Sequence, residues 1–387
     1  MPWKVTNVVE AKKSFITEWL SGQWSMTELC MRHGISRKTG YKVVRRYDAE
    51  GRAGLTDKSR APHHRPSRVP DNLVDRVLEA RRAHPRWGPR KLLVWIRRTE
   101  PDAELPSHAT MSRRFHELGF ADAVHLRRPV QGYVSPYSGY YGPNAAWSVD
   151  FKGPLSLKKS LRLCHPFTLG DVTSRFLLRC DAFGGIDGQR VQKSFESAFE
   201  EYGLPDAIRS DNGPPFASSS LGGLSRLSIW WIRLGIRPHR IKPGRPTQNS
   251  RHERMHRTLN EECERGKTLR EQQRHFEAFR TMFNHERPHD ALNGKVPAQI
   301  YASSTRRYPR KLQDPSYPSE FFVDRLGTKG ELRFQGHHLA LTDLLGEQLI
   351  GLQRVEQQTW NLYFGPVFLG VLNPKGFRVQ KHPEPIT

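Results

Sequence analysis

The sequence predicts a multidomain protein with an all-α N-terminal part, an α/β core built on a mixed sheet, and a small C-terminal β-barrel. Three observations predict this order. Apolar residues recur at helical spacing up to about residue 120, and short strand-like runs then alternate with helical stretches from about residue 146. After about residue 306, short apolar runs are separated by glycines, which is typical of small barrels. The chain has 387 residues, enough for several domains that each bury a core.

The first fifty residues predict three short helices, at Val8 to Leu20, Thr27 to His33 and Arg37 to about Tyr47. Gly34 permits a tight turn before the third helix, and Ser36 is a good N-cap for it. Two helices joined in this way form a helix-turn-helix, whose second helix enters the major groove of DNA. The residues predicted to contact DNA lie on that helix: Arg37, Lys38, Tyr41, Lys42, Arg45 and Arg46. The alternative is a solvated charged face on an ordinary helical bundle.

A second group of helices is predicted at Asn72 to Ala83, Pro89 to Arg98 and from the Ser107 cap to Leu118. The segment before this group is rich in Gly, Pro, Ser, His and Arg, and is either a solvated tether or an arm in a minor groove. The predicted domains are 1–50, a helix-turn-helix DNA-binding domain; 51–69, a basic linker; 70–120, a second helix-turn-helix-like DNA-binding domain; 121–145, a connector; 146–305, the catalytic core; and 306–387, the C-terminal β-barrel.

Strands and helices alternate in the predicted core, as a mixed sheet flanked by helices requires. The strands are expected at Trp147 to Lys152, Cys164 to Leu169, Arg175 to Asp181, Ala207 to Ser210 and His239 to Lys242. The helices are expected at Gln189 to Tyr202, Leu221 to Leu234, Ser250 to Lys267 and Leu269 to Asn284.

The chain is strongly basic, with 62 Lys and Arg residues against 39 acids and a formal charge of +23. Such a surplus favours a polyanionic partner, most simply double-stranded DNA, although a basic housekeeping protein is the alternative. The four cysteines form no CxxC pair and no zinc-binding spacing, which favours reduced thiols in a cytoplasmic protein. No apolar stretch is long enough for a membrane helix, and the N-terminus lacks the apolar core of a signal peptide.

Three carboxylates stand in settings that suit metal-dependent phosphate chemistry. Asp150 and Asp211 each follow a predicted strand, and Glu253 lies in the first turn of a predicted helix. Mg²⁺ prefers carboxylate oxygens, and two such ions together can activate a nucleophile and stabilise a leaving oxygen. Taken singly, each acid has a structural explanation as a turn or cap residue. Asp171 also ends a strand, but its surroundings favour a turn residue.

Residues 146–300 resemble the integrase core of retroviral integrases and bacterial insertion-sequence transposases. This family is the Asp-Asp-Glu superfamily, which has a ribonuclease-H-like fold. The segments that carry the resemblance are Trp147-Ser148-Val149-Asp150, Ser210-Asp211-Asn212-Gly213, residues 243–254 and Asn284-His285-Glu286-Arg287-Pro288-His289-Asp290-Ala291-Leu292. One departure is Ser250, where the family usually has Gly, but Ser is a fair helix cap.

The resemblance implies a catalytic and metal-binding site of Asp150, Asp211 and Glu253 that holds two Mg²⁺ ions, with Mn²⁺ as a substitute. It implies cleavage that frees a 3′-OH at the element's ends, transfer of that hydroxyl to target DNA, and a homo-oligomer on DNA near the bacterial nucleoid. No membrane and no small-molecule cofactor are expected. Further DNA contacts are expected from residues that flank the glutamate: Arg245, Asn249, Arg251, Arg254 and Arg257. The main alternative is a DNA-binding regulator derived from a transposase that has lost catalysis. A serine or tyrosine recombinase is less favoured, because nothing organises a nucleophile.

Glu261 and Glu262 lie more than two helical turns beyond Glu253. Because of that distance, replacement of Glu261 or Glu262 by Gln is expected to leave strand cleavage intact.

Overall fold

A computed structural model describes residues 7–57, 69–120, 139–159, 162–241, 250–356, 359–373 and 378–380. The chain divides into two compact units, residues 1–68 and residues 69–387. Most of the predicted linker and connector, and the predicted DNA contacts Arg245 and Asn249, lie outside the described residues.

The first unit contains three helices, α1 (Val8–Leu20), α2 (Met26–Arg32) and α3 (Arg37–Glu50). Ser36 accepts a hydrogen bond from the backbone N–H of Thr39, and this N-cap starts α3 where the sequence predicts. Gly34 has a φ of 65°, the left-handed conformation that the tight turn between α2 and α3 requires. The small core of this unit lies among the three helices and is centred on Phe15, Leu29 and Val43.

The second unit begins with three more helices, α4 (Asp71–Ala83), α5 (Pro89–Thr99) and α6 (His108–Glu117). Their shared core includes Trp87, Leu92 and Met111, which are fully buried. Within this unit the helices contact the α/β core, because the Arg98 guanidinium donates hydrogen bonds to the carbonyls of His285 and Glu286.

A mixed sheet of six strands forms the centre of the described α/β core. Its strands are β1 (Trp147–Phe151), β2 (Leu155–Ser156), β3 (Leu163–Asp171), β4 (Leu177–Phe183), β5 (Ala207–Ser210) and β6 (Arg237–Arg240). Strand β3 runs antiparallel to β1, β2 and β4, whereas β5 runs parallel to β1 and β6. The predicted mixed sheet is therefore confirmed.

Helices cover both faces of this sheet: α7 (Gly188–Tyr202), α8 (Arg226–Arg233), α9 (Ser250–Glu262) and α10 (Leu269–Thr281). Trp147 and Val149 of β1 pack with residues of α7 and α8, including the buried Trp231. On the other face, residues of β3 and β4 pack with α9 and α10. Successive residues of a strand point to opposite faces, so Ser148 and Asp150 lie on the face that carries α9.

Three predicted helices of the core differ from those observed. The helix expected from Ser250 to Lys267 ends at Glu262. The single helix expected from Leu221 to Leu234 is a 3₁₀ turn followed by α8, because Gly222 and Gly223 adopt left-handed conformations and Ser225 starts a new helix. The last predicted helix ends as an α-helix at Thr281 and continues as one π-helical turn, Met282–Glu286.

The predicted C-terminal small barrel is not shown, because the described strands form an open five-stranded sheet and a separate two-stranded sheet. Strands β7 (Phe322–Arg325), β10 (Leu349–Glu356), β11 (Thr359–Phe364), β12 (Val367–Asn373) and β13 (Arg378–Gln380) pair in the order β13-β12-β11-β10-β7, and β8 (Glu331–Phe334) pairs with β9 (His337–Ala340). A closed barrel requires the two end strands to pair, and β7 and β13 do not do so among the described residues. Leu221, Ile229 and Ile232 pack against these strands, so their apolar face is buried without closure.

Candidate active site

Asp150 and Asp211 lie at the same edge of the core sheet. Strands β1 and β5 are parallel, with Trp147 beside Ile208 and Ser148 beside Arg209. When this pairing is extended by two residues along both strands, Asp150 lies beside Asp211. The two acids that the sequence singles out are thus brought to neighbouring strand ends, the usual position of functional residues in open α/β sheets.

The surroundings of Asp150 link it to helix α9. Its side chain is 18% exposed, and the hydroxyl of Thr168 on β3 donates a hydrogen bond to its carbonyl at 3.0 Å. The same hydroxyl oxygen lies 2.8 Å from Nε2 of His256, whose Nδ1 is 4.0 Å from Asp150 Oδ2. Burial lowers the pKa of His256 to about 2, so the imidazole is neutral and its contact with Asp150 is not an ion pair. His256 fixes α9 against the strand that carries Asp150.

Asp211 occupies a short turn at the end of β5. The backbone N–H of Gly213 donates a hydrogen bond to its Oδ1 at 3.2 Å. The amide of Asn212 donates to the carbonyl of Ile241 at 2.8 Å, which ties the turn to the chain that follows β6. Burial raises the pKa of Asp211, and the hydrogen bond from Gly213 partly offsets this shift. A nearby cation would stabilise the charged form of this half-buried carboxylate.

Glu253 is exposed in the first turn of α9, three residues before His256. Met255 and Leu259 bury the opposite side of the helix against α10. Carboxylates from two strand ends and one helix match the oxygen ligands that Mg²⁺ prefers. Across the part of the chain that the structure describes, no three acidic, His or Cys side chains are close enough together to hold a metal ion. The donor chemistry fits Mg²⁺, and the segment just before α9 lies outside the described residues.

Asp171 is a turn residue, as the sequence predicts. Its carboxylate accepts hydrogen bonds from the backbone N–H groups of Asn144, Thr173 and Ser174 and from the Ser174 hydroxyl, at 2.6 to 3.1 Å. These donors hold the turn between β3 and β4. With its acceptor capacity used in this way, Asp171 is not an alternative to Asp211.

The arginines that flank Glu253 face a cavity of about 420 Å³. Arg251, Arg254 and Arg257 line it, together with residues of β1, β3 and the segment after α10, whereas Glu253 does not. Arg251 also donates a hydrogen bond to the carbonyl of Val172. Their role as DNA contacts stays a prediction.

The C-terminal end of α9 is anchored by Arg287 and Trp87, whose contacts with Glu262 the sequence does not predict. Arg287 contacts both carboxylate oxygens of Glu262 at 3.1 to 3.3 Å, and the two side chains are only 11% and 7% exposed. The indole N–H of Trp87 donates a hydrogen bond to the same carboxylate at 3.1 Å. No local pattern predicts this contact, because the partners of Glu262 lie 25 and 175 positions away in the chain.

In the first unit, α3 presents its basic residues to solvent. Arg37, Lys38, Lys42 and Arg45 are exposed, and Tyr41 is 43% exposed. Arg46 is half-buried. The buried side of α3 includes Gly40, where an added Cβ would lie 2.5 Å from Cys30 Sγ and 2.9 Å from Met26 Sδ. The glycine therefore permits α2 and α3 to approach as closely as they do.

Comparison with known families matches both parts of the chain. Integrase core domain models match residues 141–246 and 234–297, a helix-turn-helix domain model matches 11–63, and a homeodomain-like domain model matches 39–115. An uncharacterized 31.7 kDa protein of insertion element IS407 from Burkholderia multivorans is 28% identical over 244 residues, which cover 62% of this chain and 83% of that protein. A 39.2 kDa protein of insertion element IS476 from Xanthomonas euvesicatoria is 28% identical over 293 residues, 74% of this chain and 81% of that protein. The chain thus contains integrase core and helix-turn-helix domains and is similar to proteins of insertion elements, which supports a transposase with an integrase-like core.

The chain is also similar to solved retroviral structures. The catalytic core domain of the HTLV-2 integrase, in complex with magnesium, is 18% identical, and the match covers 42% of this chain and 99% of that chain, with a TM-score of 0.32. A simian T-cell lymphotropic virus intasome is 14% identical, and the match covers 69% of this chain and 95% of that chain, with a TM-score of 0.35. Among the described residues, no helix is both long and apolar enough to cross a membrane.

Proposed function

We propose that this transposase cleaves DNA at the ends of its element to free a 3′-OH, and that it joins this hydroxyl to target DNA by metal-dependent phosphoryl transfer. The observation that carries the proposal is the register of β1 and β5, which brings Asp150 beside Asp211. Helix α9, with Glu253 in its first turn, packs next to Asp150 through His256. Acids at two adjacent strand ends and on a neighbouring helix suit a site that handles a phosphodiester.

In this proposal Asp150, Asp211 and Glu253 hold two divalent ions, Mg²⁺ or Mn²⁺. When bound, such ions neutralise phosphate charge and lower the pKa of an attacking hydroxyl group or water. The protein's own part is to hold the acids in place. Thr168 and His256 keep α9 against β1, and the hydrogen bond from Gly213 orients the Asp211 carboxylate. Preorganised acids avoid a cost of rearrangement during the reaction.

Recognition of the element's ends is assigned to the first unit. Helix α3 follows a tight turn, and five of its predicted DNA contacts are exposed, four of them basic, which suits insertion into a major groove. Contacts with phosphates release counterions, so affinity for double-stranded DNA should fall steeply with salt. Two element ends must meet for transposition, and therefore the active form is proposed to be a homo-oligomer.

The test compares cleavage with binding in the full chain. Asp150→Asn, Asp211→Asn and Glu253→Gln should each abolish Mg²⁺-dependent nicking of end DNA and leave its binding nearly unchanged. Each change keeps the shape of the side chain but replaces a charged ligand with an amide, which binds Mg²⁺ poorly. Glu200→Gln, at an exposed site on α7, removes the same charge elsewhere and should cleave normally.

Full cleavage by any one of the three variants would remove that acid from the site. Normal cleavage by all three, or cleavage that survives exhaustive chelation of metal, would contradict the proposed function. Specific binding of end DNA without any cleavage by the unmodified protein would instead support the DNA-binding regulator.

A further inference from the structure

The cavity beside α9 is strongly cationic. It is formed by the turn before α5, α5 itself, the turn between β3 and β4, α9, and the segment after α10. Besides the three arginines of α9, its lining includes Arg86, Lys91, Arg175 and Arg287. Three acids also line it, but the Asp171 carboxylate is occupied by its own turn. Arg287 is paired with Glu262, but the remaining cations still outnumber Glu261 and Asp290, and this excess of positive charge favours an anion.

Two buried histidines line the same cavity with one ring nitrogen unpartnered. His252 is 4% exposed and His289 is 7% exposed, and Nε2 of each has no hydrogen-bond partner among the described residues. Their other ring nitrogens bond to the carbonyls of Thr168 and Phe283. Buried polar atoms of this kind are rare in folded proteins and call for a ligand or an ordered water.

The protonation of His289 indicates what the ligand must offer. Burial lowers the pKa of His289 to about 3, so its ring is neutral near pH 7. The nitrogen bonded to the Phe283 carbonyl carries the proton, and Nε2 is then an acceptor. The missing partner must therefore donate a hydrogen bond, while the arginines and Lys91 require negative charge. A hydrogen phosphate has both, whereas a carboxylate, a sulfate or a phosphodiester supplies only the negative charge and needs a bridging water as the donor.

Lys91 is a partly buried cation that lines the cavity. Burial and, to a smaller extent, the charge of Arg287 lower its pKa, and the acids Asp290, Glu262 and Glu261 partly offset this shift. A bound anion would stabilise its charged form further. A cavity of about 420 Å³ has the size of a small-molecule site and can take a compact anion such as pyrophosphate.

We propose that this cavity is a phosphate-binding site, separate from the site of the three acids. Arg86, Lys91 and the α9 arginines hold the anionic oxygens, and the histidines accept hydrogen bonds from a protonated phosphate oxygen or a bridging water. The phosphate group comes either from a free phosphate compound, whose P–OH is the donor, or from a DNA phosphodiester, for which a bridging water is the donor. The site does not depend on the proposed cleavage activity, and Glu253 is not part of it.

The test uses inorganic pyrophosphate as the probe, titrated into the full-length protein in EDTA at constant ionic strength. Without divalent metal, the three acids do not contribute to anion binding. The double variant Arg86→Gln/Lys91→Gln should bind pyrophosphate at least roughly tenfold more weakly, because it loses two charge-assisted contacts. The control Arg90→Gln/Arg97→Gln removes the same charge from exposed positions of α5 outside the cavity and should bind normally. Lys91→Arg keeps the charge and should keep binding, which separates a lost contact from a misfolded protein.

Affinity for double-stranded DNA then distinguishes the source of the phosphate. If DNA supplies it, the cavity variant binds DNA more weakly than the control and pyrophosphate competes with DNA. If a free compound supplies it, both variants bind DNA equally and only pyrophosphate binding is lost. Equal pyrophosphate affinity in the two variants, or no pyrophosphate binding by the unmodified protein, would overturn the proposal. These results do not involve nicking, so they are independent of the test of the three acids.

Discussion

Burial of the Asp211 carboxylate destabilises the folded protein when no metal is bound. Its carboxylate is half-buried, and burial raises its pKa above the ordinary value of 3.8. A raised carboxyl pKa means that the folded protein keeps a proton over a pH range where the unfolded chain has lost it. Stability is therefore lost as pH rises from 3.8 through the folded pKa. Such a penalty is common where a carboxylate is placed for function.

Asp211→Asn should accordingly raise the midpoint of thermal unfolding at pH 7 in EDTA, while it abolishes cleavage. Asn never ionises, so the variant avoids the loss. The difference should shrink as pH falls and vanish below 3.8, where Asp211 is protonated in both states. Thermal melts of both proteins across this pH range measure it, with Glu200→Gln as the exposed control. A variant less stable than the unmodified protein at pH 7 would contradict this prediction and would show that a further contact stabilises the ionised Asp211 carboxylate.

Helix α9 carries Glu253 at one end and is fixed at the other by a buried ion pair. Glu262 accepts two contacts from Arg287 and one hydrogen bond from Trp87. The sequence predicts that Glu262→Gln leaves strand cleavage intact, and the buried contacts of Glu262 add the prediction that this change lowers stability. Loss of one partner in a buried pair leaves the other charge uncompensated, which typically costs about 3–5 kcal/mol.

Glu262→Gln should lower the free energy of unfolding by several kcal/mol, whereas the neighbouring Glu261→Gln should change it by less than about 0.5 kcal/mol. Glu261 is exposed, so the pair isolates the effect of the buried contact. Denaturant unfolding of the full chain provides the measurement. Equal stability of the two variants would mean that the ion pair does not hold α9.

Helices α2 and α3 pack closely because Gly40 has no side chain. Gly40→Ala would favour an isolated helix by ~1 kcal/mol. In the protein, however, its Cβ would lie 2.5 Å from Cys30 Sγ. Overpacking of this kind usually costs about 1–3 kcal/mol, so the substitution should destabilise the first unit and weaken binding of end DNA.

Lys42→Ala serves as the comparison for Gly40→Ala, since it alters an exposed position of the same helix. It should reduce DNA affinity without lowering the melting temperature of this unit. A stabilised Gly40→Ala protein with normal DNA binding would contradict the close packing of α2 and α3.

Over the whole molecule, the first unit presents the predicted DNA-reading helix and the second contains the candidate active site. In the proposed reaction one core supplies one set of three acids, and two element ends react together. Light scattering of the protein with end DNA should therefore show at least two chains in each cleavage-competent complex. A cleavage-competent complex with a single chain would contradict the proposed oligomer.

Local features of the sequence determined most of the helices and strands. The limits of α1 and β5 agree with the prediction, because apolar spacing in Val8–Leu20 and the short apolar run Ala207–Ser210 are local signals. The Ser36 cap is a local signal of the same kind. The residue types and motifs around Asp150, Asp211 and Glu253 were also sufficient to single out the three acids and to indicate a family.

Contacts between distant parts of the chain decided what the sequence could not. The pairing of β1 with β5 makes Asp150 and Asp211 neighbours, and His256 and Glu262 acquire their roles only through partners on other elements. The C-terminal strands have barrel-like spacing, but strand pairing leaves their sheet open within the described residues. The cavity beside α9 likewise exists only where five separate segments meet. Periodicity and capping report on a residue's own neighbourhood, whereas burial, ion pairs and cavities depend on which distant surfaces pack together, and for this protein only the tertiary structure decided that.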